Sequence, residues 1–370
     1  PYDCPKSARI LAAAIEVLAK RDKVGNAAEA LAMLATGDEA FLPKLEAYAR
    51  SITPAPGSLN PAKCDTWGWG YKNLFLAEYH LATRDPAALE GVREYTLALA
   101  KAQSCFGTYG HGGGETNHAG KFHGSIPPYG PVNQAGLAAS LSIVLGKKCG
   151  IDDPELDAAI ERSTNFYRYY VQKGTVPYGE HTPWHMHAAS NGKNELAAVF
   201  FGLQGSRPTE TEYFTRLAIA GHEGREVGHT GQGFSYLWGP LGAAIAGPKA
   251  AAAYLAEVRW HLDLCRRCDG SFAYDGTGDG VNVVKDYWDK SDYYGFIDPT
   301  SWHVLAFSLP KRRLLITGRD HASANTLGDD AVANAIWAGK YPQIRGGLST
   351  EQLLGHFAEF DPIVRRYAAE

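Results

Sequence analysis

The feature that most limits what this chain can fold into is a recurrence. A loop rich in Gly and aromatic residues leads into an apolar helix, a short turn follows, and a more amphipathic helix precedes the next such loop. The clearest instance opens at Asp65 with DTWGWGYKNLFLAEYHLATRD and continues from Pro86 with PAALEGVREYTLALAKAQS. Pro is tolerated there because the first helical turn needs no N–H from it. Further instances open at Pro131 (PVNQAGLAASLSIVLGKKCG, paired with 154–173), at Asn191 (paired with 209–222), near Gln232 (SYLWGPLGAAIAG, paired with PKAAAAYLAEVRWHLDLCRRC) and at Asp298 (PTSWHVLAFSL). Helices over 24–52 form the opening copy, after an amphipathic helix at 7–20 with Ser7 as its N-cap. Strand-type alternation of β-branched residues is nearly absent.

A helix pair recurring every roughly 40–65 residues cannot bury its apolar face alone and must stack on its neighbours. The first helix of each pair is apolar nearly all round, as a helix walled on both sides should be, and the second is mixed. The expectation is an all-α fold: one α/α toroid of about six inner and outer helix pairs over residues 1–370. An open helical solenoid is the alternative. Long irregular loops always precede the inner helix and would gather at one end, which favours the closed ring. The stretches KRRLLITGRD, 329–338 and STEQLLGHFAEFDPIVRRYAAE are expected to complete the last pair and close the ring.

Composition removes several function classes. A net charge of −4 leaves no basic footprint for nucleic acid or an anionic membrane. Apolar runs are short and broken by Gly, Pro or charge, so no membrane insertion is expected. Six cysteines are too few for a disulfide scaffold in 370 residues. Cys265 and Cys268 form a lone C-x-x-C with no second pair, which reads as two buried thiols or one incidental disulfide rather than a zinc ribbon. The opening PYDCPKS reads as a mature end or a cut from a longer protein.

If the inner helices all start at one rim, five segments converge there: 65–73, 109–133, 178–195, 222–236 and 270–301. They hold eight of the 13 histidines (positions 111, 118, 123, 181, 185, 187, 222 and 229). Dense polar loops on a rigid scaffold are where function tends to sit. The first reading is a carbohydrate-active enzyme, a glycoside hydrolase ahead of a polysaccharide lyase. Trp67, Trp69, Tyr71, Trp184, Tyr236 and Tyr274 offer flat faces for sugar rings. Glu180 and Glu226 are the acid/base candidates, with His181, His123 and His229 beside them. Asn191, Lys193, Asn194 and Asp275 would bind hydroxyls or a substrate carboxylate.

The lyase alternative needs a base, an acid and a neutraliser for a uronate carboxylate, and His118 with Tyr129 has those ingredients. A zinc-dependent enzyme is a further alternative, with His185 and His187 joined by neighbouring histidines as the possible metal ligands. No cofactor is otherwise expected. A rim that only binds glycan or peptide, without turnover, is the last alternative.

The strings GYKNLFLAEY, YGPVNQAGLAASLSIVLGKKCG, GTVPYGEHTPWHMHAASNGKN, EVGHTGQGFSYLWGPLGAAIAGP and CDGSFAYDG carry a resemblance. Over about residues 65–298 the chain resembles an uncharacterised bacterial toroid family, mainly of planctomycete type and often next to PDZ-like domains. The resemblance implies an α/α toroid and an extracytoplasmic setting, periplasmic or secreted. It implies no reaction. With no PDZ-like segment before Pro1, the chain would be a domain of a longer protein or a short family member.

Overall fold

A computed structural model describes residues 2–113, 130–179, 182–183, 192–221, 233–273 and 298–370. Among them the protein is all-helical, with no strand beyond one isolated bridge between Arg266 and Phe272. Sixteen α-helices are described. Six of them are walled in: α2 (Ala27–Thr36), α4 (Thr66–Thr83), α6 (Asn133–Lys148), α8 (Lys193–Gln204), α10 (Gly233–Ala244) and α13 (Pro299–Ser308). Every residue of α2, α10 and α13 is buried. That is how their all-round apolar sequences are satisfied.

These six helices pack in a cyclic order. α2 lies against α4, α4 against α6, α6 against α8, α8 against α10, α10 against α13, and α13 against α2 again. Small residues set the spacing. A methyl group added at Gly242 of α10 would stand 2.7 Å from the Glu195 carbonyl oxygen of α8, so only Gly permits that approach. α4 and α10 are three steps apart in the cycle, yet their side chains meet. The Trp238 indole N–H donates to the Tyr71 hydroxyl at 3.0 Å with both rings buried, and Trp67 stacks on Phe234 with ring centres 5.6 Å apart.

Partner helices flank this set: α3 (Leu42–Ile52) lies on α2 and α4, α5 (Pro86–Ala102) on α4 and α6, and α7 (Pro154–Arg168) on α5 and α6. α9 (Pro208–Ala220) lies on α8 and α10, and α11 (Pro248–Glu257) on α10 and α9. Each of them carries Pro in its first turn, the one place where a missing N–H costs nothing.

The expected closure by the C-terminal segment is corrected. The partner of α13 is α1 (Pro5–Ala19), which packs on α13 and α2. Just past that helix, Arg21 pairs with Asp298, the N-cap of α13, and with Glu29 of α2 at 3.2 Å, tying the chain's beginning to its last inner helix. An amphipathic helix at the N-terminus supplies the missing apolar cover as well as a C-terminal one would. The later helices sit outside. α14 (Asp329–Ile344) packs on α9 and α11, α15 (Thr350–Gly355) lies against α16 (Pro362–Ala369), and α16 packs back on α14 around Tyr341 and Val364.

Residues 309–327 do something the sequence did not suggest. In a series of short 3-10 turns they run across the C-terminal ends of the inner helices. Lys311 donates to the Thr36 carbonyl at 2.7 Å, and the Asn325 amide to the Gly202 carbonyl at 3.2 Å. The Glu78 carboxylate accepts from the backbone N–H groups of Leu315 and Ile316 at 3.1 and 2.9 Å. The orphan carbonyls that end a helix are thereby given donors. One end of the helix set has a floor.

Candidate functional site

The other end is where the inner helices begin. Their first turns touch one another: Trp67 of α4 meets Phe234 of α10, and Gly233 of α10 backs onto the Trp302 ring of α13. The Thr66 N–H donates to the His111 carbonyl at 3.0 Å, and the Trp67 indole N–H to His111 Nδ1 at 2.8 Å. Asn133 opens α6 and donates to the carbonyls of Pro177 and Gly179. The first turns of α4, α10 and α13 therefore meet at one end of the helix set.

The entry to α8 holds the most unusual charge. Gly192 adopts a left-handed conformation (φ 74°), and a methyl there would stand 2.5 Å from the Phe234 carbonyl oxygen. This turn places Lys193, Asn194 and Glu195 in the first turn of α8, all three buried. Asn194 is structural, since its side-chain oxygen accepts the Val176 N–H at 3.0 Å. Lys193 is only 2% exposed, and among the described residues its ammonium has no hydrogen-bond partner. Burial pushes its pKa down to about 7, against the pull of the Glu195 carboxylate. Perturbed lysines of this kind cluster at functional sites.

The aromatic residues expected to stack on sugars are placed differently. Tyr71 and Tyr236 are core rings: Tyr71 accepts the Trp238 indole, and Tyr236 lies flat on His261 with ring centres 3.6 Å apart. Both are buried, so neither offers an open ring face to a sugar in the described structure. Trp67 is 6% exposed and engaged with Phe234 and His111, while Trp69 is half-buried beside Tyr95. Glu180, His181, Glu226, His229, His118, His123, Tyr129, Trp184, Asn191, Tyr274, Asp275, His185 and His187 lie outside the described residues.

A second cluster was not anticipated. His261 of α12 (Arg259–Leu264), Cys265 at its C-cap and His303 of α13 are all buried, and their donor atoms lie within 4.8 Å of one another. Cys265 Sγ is 3.2 Å from His261 Nε2. His303 Nδ1 donates to the Pro299 carbonyl at 2.6 Å, which leaves its Nε2 as a lone pair, buried and without a hydrogen-bond partner. Burial pushes the His303 pKa down to about 4, so the ring is neutral at pH 7. Phe272 stacks on His303 at 4.1 Å and Tyr236 on His261, closing both flanks. The C-x-x-C reading is also revised: Cys265 is buried, Cys268 is exposed, and the two are not bridged. The overlooked signal was the four-residue spacing of His261 and Cys265 at a helix end, which puts both on one face.

Among the described residues this is an all-helical protein of paired helices, with a buried lysine at the start of α8 and a buried His/Cys/His cluster between α12 and α13. The chain belongs to the family described as Domain of unknown function (DUF6288), whose family model matches residues 7–318. No curated protein and no solved structure matches it.

Proposed function

We propose that the cyclic set of inner helices is the inner ring of an α/α toroid, and that its loop-bearing end is the active site of a carbohydrate-active enzyme acting on an acidic glycan. The cyclic packing order, the meeting of α4 and α10 across it and the floor at 309–327 support the toroid. The observation that carries the substrate class is Lys193, a buried cation with no described hydrogen-bond partner at the start of an inner helix. A buried ammonium beside helix N–H groups suits a carboxylate ligand, because both favour negative charge. Hydrolysis is the first reading, with Glu180 and Glu226 as the acid/base pair and Glu195 beside Lys193.

Elimination is the second reading, and Lys193 is what favours it. A lyase must neutralise the uronate carboxylate before a base removes the adjacent proton, and a buried lysine supplies that charge. His118 and Tyr129 would be the base and the acid. The expected setting is extracytoplasmic, where glycan polymers are met.

A panel of acidic and neutral polymers separates the readings. Hydrolysis gives new reducing ends alone, whereas elimination also gives an unsaturated product that absorbs in the ultraviolet. Binding without either product would leave a glycan-binding module, and neither binding nor product on any polymer would remove the carbohydrate reading.

A further inference from the structure

His261, Cys265 and His303 are none of the residues assigned to the glycan chemistry above. Two accounts compete for this cluster. In the first, the Cys265 thiol donates to His261 Nε2, and the pair is ordinary core packing. That account leaves His303 Nε2 buried with no hydrogen-bond partner among the described residues, a desolvation cost that no contact offsets there. Tyr236 and Phe272 hold both imidazoles flat and in place.

We infer that His261, Cys265 and His303 bind one zinc ion, which fastens α12 to α13. The donor set is right for it. Two neutral imidazoles and a thiolate are typical zinc ligands, and three protein ligands leave a fourth tetrahedral position for water. Around a tetrahedral zinc such donors stand ~3.3–3.7 Å apart, given Zn–N of about 2.0–2.1 Å and Zn–S of about 2.3 Å. The trio, all within 4.8 Å, needs to close by no more than about 1.5 Å.

The hydrogen bond from His303 Nδ1 to the Pro299 carbonyl is the outer-shell contact that metal-binding histidines use to fix their tautomer. Binding takes the thiol proton from Cys265 and releases it to solvent, so zinc affinity rises with pH. The placement gives the ion a structural consequence. Ala273 N–H donates to the Cys265 carbonyl at 2.7 Å and Phe272 N–H to Thr300 Oγ1 at 3.1 Å, so the same residues anchor both roots of 274–297.

The test is metal analysis of the whole chain purified without chelator, together with cobalt substitution of protein stripped of metal. About one zinc per chain is expected, lost in Cys265→Ser and His303→Gln and kept in Cys268→Ser, whose thiol is exposed and outside the cluster. Because the first two variants can fail to fold, the stripped wild-type chain is the deciding sample. Cobalt should give it the intense thiolate charge-transfer band and tetrahedral visible bands, and zinc should raise its Tm by several degrees. No zinc at purification, with no thiolate band and no Tm shift on adding either ion, would overturn the assignment. So would rapid alkylation of Cys265 in zinc-treated chain, which would mark an accessible thiol rather than a ligand. None of these readouts involves a glycan.

Discussion

Two buried ionisable groups, Glu78 near one end of the inner helices and Lys193 at the other, are held in opposite ways. At the floor, Glu78 is fully buried but accepts two backbone N–H groups, so it joins residues 309–327 to α4. At the other end Lys193 is almost as buried and has no hydrogen-bond partner among the described residues, where His303 Nε2 has none either. A satisfied buried group holds a structure together, while an unsatisfied one costs stability and persists where a ligand completes it. In the proposed reading Glu78 serves the structure and Lys193 serves a ligand.

The largest effect expected is at the floor. Glu78→Ala removes both acceptors, leaves two buried N–H groups unpaired and opens a cavity, for a loss of ~3–4 kcal/mol in urea unfolding. If the loss were within ~0.5 kcal/mol, the floor would not be held this way. Next comes the tie between the chain's start and α13. Arg21→Ala strips the counter-charge from buried Glu29 and Asp298 and should cost ~2–3 kcal/mol, read as a fall in Tm. A neutral result would mean that α1 does not depend on this pairing. Smaller still, Tyr71→Phe removes the acceptor of the Trp238 indole and should cost about 1–2 kcal/mol.

The two ends should also respond to pH with opposite sign. Burial raises the Glu78 pKa to about 7, so the folded chain binds more protons than the unfolded one between its ordinary value of 4.5 and 7. Stability is full below that window and falls as pH rises through it. Lys193 is depressed from 10.5 to about 7, so the folded chain binds fewer protons and stability falls as pH drops from 10.5 to 7. Urea midpoints across pH should lose the lower slope in Glu78→Gln and the upper slope in Lys193→Met. Slopes that persist in both variants would contradict this assignment. In the glycan reading, affinity for an acidic polymer weakens above about pH 7 as Lys193 loses its proton.

The inner helices were legible because a helix apolar on every side has few other places to go. The partner of α13 was not, because an amphipathic face states that it needs cover without saying by which element. Residues 309–327 fold into irregular 3-10 turns whose role is set by the helix ends they meet, so no periodicity marks them. Trp67, Tyr71 and Tyr236 were ambiguous by chemistry, since a ring fit to lie on a sugar is equally fit to lie on Phe234 or His261. The His261/Cys265/His303 cluster was hidden because His303 joins the His261–Cys265 pair from another helix of the fold. Lys193 was picked out from its loop, but that it is buried only the packing of α8 against α10 could tell.

The most direct measurement is the stability of Lys193→Met against the parent chain at pH 7, by urea unfolding with the slope held as a check on the unfolded state. If Lys193 is kept for a ligand rather than for the fold, replacing a buried unpartnered ammonium by an apolar side chain of similar length should stabilise the chain by ~1–3 kcal/mol. A loss of that size instead would mean that Lys193 supports the structure as Glu78 does, and the division between the two ends would fall.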